Sequence, residues 1–178
     1  CLQTPEDWRG ALERGALSPA GWEEERELAR ALSLALEEHW PEALKACAPI
    51  ASRAPTSPAA LCAATAAERL NKGEEATRYV RAYLSGHPSH PRATLLLSKL
   101  TGKAGDHKAA EAQLREFLSA QGERLSSEER ARAHYNLGVA LAQQGRWREA
   151  IEQWRAVPEG AKDYERAQAL ILEGETRP

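Results

Sequence analysis

From Ala133 the chain reads AHYNLGVALAQQGRWREAIEQW, two helical apolar patterns broken by a turn centred on Gly145. No other feature constrains the fold as much. Two amphipathic helices joined by so short a turn lie antiparallel, and a single hairpin leaves apolar surface that only a neighbouring hairpin can cover. The same entry signature returns at His39-Trp40-Pro41-Glu42-Ala43 and, in weaker form, over 72–76 and 106–110. The small residue that opens each second helix marks the register: Ala43, Ala76, Ala110 and Ala150 recur at intervals of 33, 34 and 40 residues. The extra length before the last mark falls in 121–130, a polar stretch. There Ser126 or Ser127 can cap the next helix, and Glu128 and Glu129 suit its first turn.

This register divides the chain into units 24–56, 57–90, 91–124 and 131–164, with turns at Glu38-His39, 71–73, 102–105 and 144–146. Pro49, Pro55 and Pro58 are expected to bracket the loop after the first unit, because Pro ends helices. His87-Pro88-Ser89-His90-Pro91 does the same after the second. Residues 1–23 read as a linker with a short helix at 5–14, begun by Thr4-Pro5-Glu6-Asp7; Ser18-Pro19 repeats that signal before Trp22. Residues 165–178 read as a capping helix and tail; the helix is expected from Tyr164 to Glu173, with Ala167, Leu170 and Ile171 inward. Abundant Ala, 6% aromatic residues and few β-branched runs point to close-packed helices and away from a sheet.

The matching residues resemble the tetratricopeptide repeat, whose period is about 34 residues. The fourth unit carries Leu137, Gly138, Ala150 and Trp154 in register, and the third carries Leu97, Ser98, Ala110, Leu114 and Phe117. The second is Ala-rich, with Ala63, Ala64, Ala76, Val80 and Tyr83, and the first matches in its second helix only. The resemblance implies an all-α, right-handed α-solenoid of about four hairpins with an N-terminal extension and a C-terminal capping helix. It also implies a protein that binds rather than catalyses. In such repeats the first helix of each hairpin lines a concave face. Projected onto this chain, that face includes Leu28 and Leu32, Leu61 and Thr65, Leu95 and Lys99, Tyr135 and Val139. Arg69, Arg92, Lys103 and Arg132 flank it. One reading is a groove for an extended or helical peptide with apolar anchors; the other is that these positions are core between helices. Chaperone-docking members hold a terminal carboxylate with basic and amide side chains at fixed inward places. Here those places carry Leu28, Leu32, Cys62 and Leu96, with only Arg92 basic, so that role is not expected.

The three cysteines are Cys1, Cys47 and Cys62, and the chain holds no Met. A chain starting at Cys1 resembles a mature bacterial lipoprotein, in which that Cys carries the lipid; the alternative is a boundary that falls at a Cys by chance. The resemblance implies an anchor with more than one acyl chain. Leu2-Gln3 in place of Asp favours the outer membrane, periplasmic face, over the inner one. Cys47 and Cys62 then remain as a pair in helices that pack together in this fold. A disulfide and two buried thiols fit equally well, and a periplasmic compartment permits the former.

No catalytic constellation stands out. His39 and His107 fall in equivalent turns, and His87 and His90 flank Pro88 without a nearby carboxylate or Cys, so solvated loops are the plainer reading. Charge is near balance, 24 Lys and Arg against 26 Asp and Glu, which makes nucleic acid a poor partner. No apolar run reaches the roughly 18 residues of a membrane span. No Gly-rich phosphate loop or nucleophile elbow is found. The expectation is a non-enzymatic scaffold with no cofactor or small-molecule substrate. The resemblance to bacterial tetratricopeptide lipoproteins implies a use of the pilotin or envelope-assembly kind, as in those serving type IV pili or secretion pores. The rivals are a soluble cytoplasmic adaptor and a noncatalytic domain of a larger protein.

Overall fold

The computed structural model describes residues 19–122 and 124–176. The expectations at Cys1 and 5–14 lie outside them. Nine helices form among the described residues: α1 (Pro19–Leu36), α2 (Trp40–Arg53), α3 (Pro58–Arg69), α4 (Gly73–Gly86), α5 (Pro91–Lys103), α6 (His107–Gln121), α7 (Ser127–Ala142), α8 (Trp147–Arg155) and α9 (Tyr164–Glu175). No strand occurs among these residues. The fold class expected from the sequence, an all-α solenoid of helical hairpins, is the one the chain adopts.

One backbone device joins each pair of helices. Glu38, Asn71, Gly105 and Gly145, each five residues before a register Ala, take φ of 60°, 58°, 92° and 77°. In each turn the next amide donates back five residues: His39 to Leu34 O (2.9 Å), Lys72 to Ala67 O (2.9 Å), Asp106 to Thr101 O (3.2 Å) and Arg146 to Leu141 O (3.0 Å). The left-handed residue's own amide reaches Ala35, Glu68, Gly102 and Ala142 in turn. This is the Schellman arrangement, which satisfies the carbonyls a helix end leaves open. The second helix starts at once, and its register Ala is at most 1% exposed in all four hairpins. A methyl group there lets the two helices approach closely.

The described residues divide between Tyr83 and Leu84 into two compact units. In the first, α1, α2 and α3 pack on one another. Its core is built largely of alanine: α3 buries Ala59, Ala60, Ala63, Ala64, Ala66 and Ala67. Against them α2 sets Leu44, Cys47 and Ile50. In the second unit, Leu114, Phe117, Leu125, Leu137, Leu141, Trp154, Val157 and Ile171 share one apolar cluster. The indole of Trp154, 0% exposed, lies on Gly138. A Cβ there would sit 2.6 Å from its Cδ1 and 2.8 Å from its Cε2. Trp154 Nε1 donates to Tyr135 O at 3.1 Å, so the buried indole is satisfied.

Three sequence expectations need correction. Pro49 does not belong to the loop after the first hairpin: α2 runs through it to Arg53. Pro49 is exposed, so water can reach the carbonyl that lost its donor, while Ile50 and Ala51 beyond it are buried. Gly102 lies inside α5 rather than in the turn. The stretch 121–130 is not wholly polar, since Leu125 is 5% exposed and joins the core. Arg130 Nη2 ties this segment down by donating to Gly122 O at 2.6 Å. Ser126, rather than Ser127, caps α7: its hydroxyl accepts from the Glu129 amide while the Glu129 carboxylate accepts from the Ser126 amide.

Candidate functional site

The expected groove positions divide by unit. On the first unit, Leu28 and Leu32 lie on α1 and Leu61 and Thr65 on α3, all half-buried on two helices that touch. The Thr65 hydroxyl is spent within its helix, donating to Leu61 O at 2.8 Å. That leaves a small apolar face. On the second unit, Arg92, Lys99 and Lys103 are exposed along α5, which carries no acidic residue. Tyr135 and Val139 on α7 are half-buried against the apolar cluster. Burial, with Asp163 next, pushes the Tyr135 phenol above its ordinary pKa, so it stays a neutral hydrogen-bonding group. Arg132 is held in place, with Nη2 3.0 Å from Glu128 and Nε 3.5 Å from Asp163.

Leu95 is not a groove residue. It is 4% exposed and belongs to the core of the second unit, because α5 and α7 pack against each other where it sits. On the second unit the projected apolar face is therefore reduced to Tyr135 and Val139, and α5 offers cations at its surface instead.

Cys47 and Cys62 form a disulfide between α2 and α3, with Cα atoms 6.2 Å apart. Both are buried, at 0% and 6% exposure. Trp40 is half-buried at the first turn, with the Arg69 guanidinium 5.2 Å from its ring centre.

No pattern along the chain announces the most connected polar cluster. Glu111, only 7% exposed, follows the register Ala110 on α6 and meets the turn of the last hairpin. It accepts from Arg146 Nη1 at 2.7 and 2.8 Å and from Gln144 Nε2 at 2.8 Å, and pairs with Arg115. Arg146 also grips Glu149 through two bonds, Nε to Oε1 at 2.6 Å and Nη2 to Oε2 at 2.5 Å. Burial alone would raise the Glu111 carboxyl; bonds from Gln144 and Arg146 and the charges of Arg115 and Arg146 outweigh it and hold it below the ordinary value. The Arg146 fork lowers Glu149 as well. Both carboxylates here face donors, so the cluster clamps one hairpin to the next.

Among the described residues, no three His, Cys, Asp or Glu side chains gather as metal ligands, and no helix is long and apolar enough to cross a membrane. His90 accepts the Ala93 amide at 3.4 Å, which needs a neutral ring nitrogen; burial, then Arg92 and His87, lower its pKa accordingly.

No family model and no curated protein matches the sequence. Solved structures do match in shape. A crystal structure of MamA protein superposes with a TM-score of 0.67 at 15% identity, covering 85% of this chain and 82% of that one. MamA 41-end from Desulfovibrio magneticus RS-1 gives 0.65 at 18% identity, over 85% and 93%. A tetratricopeptide repeat protein from Parabacteroides merdae ATCC 43184 gives 0.65 at 17% identity, covering 87% of this chain and 61% of that one. The chain has a tetratricopeptide-like fold. At these identities the likeness speaks for the fold alone.

Proposed function

We propose that this chain is a non-enzymatic scaffold that holds a segment of another protein against the first helices of its hairpins. The carrying observation is that those helices leave apolar side chains half-covered, Leu28, Leu32 and Leu61 on one unit and Tyr135 and Val139 on the other, where Arg92, Lys99 and Lys103 are exposed along α5. An apolar anchor with acidic neighbours on the partner would match both features. The test is site-specific photocrosslinking in cells, with the reactive residue placed at Leu61 or Val139 and, as control, at Glu116 on α6. A partner captured from either of the first two positions and not from the third supports the reading. Crosslinks from Glu116 alone would sink it. Reversing charge with Lys99→Glu and Lys103→Glu together is expected to weaken the captured complex at least tenfold in titration.

The finer reading places this scaffold in a bacterial envelope, at the periplasmic face of the outer membrane with a lipid tether at Cys1, assisting assembly of a pilus, secretion or similar complex. Its support is the Cys47–Cys62 bridge, since disulfides persist in oxidising compartments and are rare in the cytosol. Palmitate labelling and membrane fractionation of the full gene product decide it. An unlabelled protein in the cytosolic fraction would leave the soluble adaptor in its place.

A further inference from the structure

We propose that the Cys47–Cys62 bridge makes folding of the first unit conditional on oxidation, while the second unit folds in either redox state. A substitution within the repeat carries the argument. Four residues beyond each register Ala stand Cys47, Val80, Leu114 and Trp154, all at most 1% exposed. Three hairpins fill this slot with an apolar side chain larger than Cys; the first fills it with half of a disulfide. The other half comes from α3, where every other buried residue except Glu68 is alanine. Cys62 Sγ also lies 3.9 Å from Ala31 O of α1, so the bridge sits where three helices of the unit meet. Methyl groups bury little area each, and the covalent link stands in for the missing bulk. It closes 15 residues, which in the chain-entropy model raises the folded-to-unfolded ratio of the unit about a hundredfold. The second unit contains no Cys and is filled by Leu114, Phe117, Leu141 and Trp154.

The chemistry balances with a dithiol as reductant. Its thiolate attacks one sulfur, the S–S bond breaks, and the second thiol of the reductant displaces the mixed disulfide. Cys47 and Cys62 gain two electrons and two protons as thiols, and the dithiol leaves as its own disulfide. With both sulfurs buried, attack waits for α2 and α3 to part.

The test uses the whole chain, unfolded in urea with dithiothreitol, refolded with the reductant present and checked by mass for two alkylatable thiols besides Cys1. Amide hydrogen exchange is then compared with that of the oxidised chain. Amides over 40–69 are expected to exchange about a hundred times faster, with those over 127–155 unchanged. Equal protection in the fully reduced chain overturns the proposal, as does equal acceleration in both units. The double variant Cys47→Val with Cys62→Ala is the second measurement, Val being the residue of the next hairpin's slot. Its exchange pattern is expected to be identical with and without dithiothreitol; a remaining sensitivity would place the effect elsewhere and overturn the proposal too.

Discussion

Glu38 holds φ of 60° where two other turns have Gly and one has Asn. A side chain with a Cβ pays about 1–2 kcal/mol for that conformation, and Gly recovers it less its own greater chain entropy. Glu38→Gly is therefore expected to stabilise the chain by about 0.5–1 kcal/mol in urea unfolding, against the usual direction for Gly substitutions. Gly138 behaves oppositely, because its missing Cβ is the space Trp154 occupies. Gly138→Ala should cost at least about 3 kcal/mol, the upper end for overpacking, and Trp154→Ala about 3–5 kcal/mol. If neither shifts the unfolding midpoint, the packing of the last hairpin is misassigned. At this scale Gly138 and Trp154 were legible, since the repeat register sets them both. Glu111 was not, because Gln144 and Arg146 lie 33 and 35 residues away in sequence and its local pairing with Arg115 looks like any surface i,i+4 pair.

Among the elements, α7 owes its start to the Ser126–Glu129 capping box. Ser126→Ala should lower stability by about 1 kcal/mol, read from the midpoint of chemical unfolding. The clamp of Glu111 and Glu149 on Arg146 gives the stack a pH dependence whose sign follows from the lowered carboxyls. A group that is more acidic folded than unfolded contributes its full stability above its ordinary value of 4.5 and loses it as pH falls below that value. Glu111→Gln is expected to flatten this acid limb between pH 7 and about 3.5 in urea titrations. An acid limb as steep as in the parent would show that other carboxylates carry the effect. Helix identity was readable along the chain because the apolar spacing is helical, and the turns because the same entry signature follows each of them. Pro49 misled, since a rule about backbone donors does not know that the orphaned carbonyl of this helix faces water.

For the whole molecule, the terminal helix α9 covers the end of the second unit. Ala167 and Ile171 are buried there, and Gly174 lies flat against Ile151 and Trp147. Deleting 164–178 should lower Tm by more than about 5 °C and raise binding of an apolar-surface dye. A deletion with neither effect would mean that α9 is not a cap. The solenoid class was legible because period, turn and small-residue register all agree. The binding face was only partly so: helical projection placed Leu28, Leu32, Leu61, Tyr135 and Val139 on incompletely covered surface. It failed for Leu95, whose exposure depends on how closely α5 and α7 approach. Such distances are set by side chains on other helices, which a single-helix projection omits.

The hairpin joints have one more consequence. Their geometry rests on main-chain bonds, one residue that accepts positive φ and one alanine five places on. At the second corner the side chains of 71–74 are exposed, so sequence can drift there between related chains at little structural penalty, whereas Arg146 and Glu149 at the last corner belong to the Glu111 clamp. That second corner is also where an epitope or fluorophore could be grafted to report on a working scaffold without disturbing it.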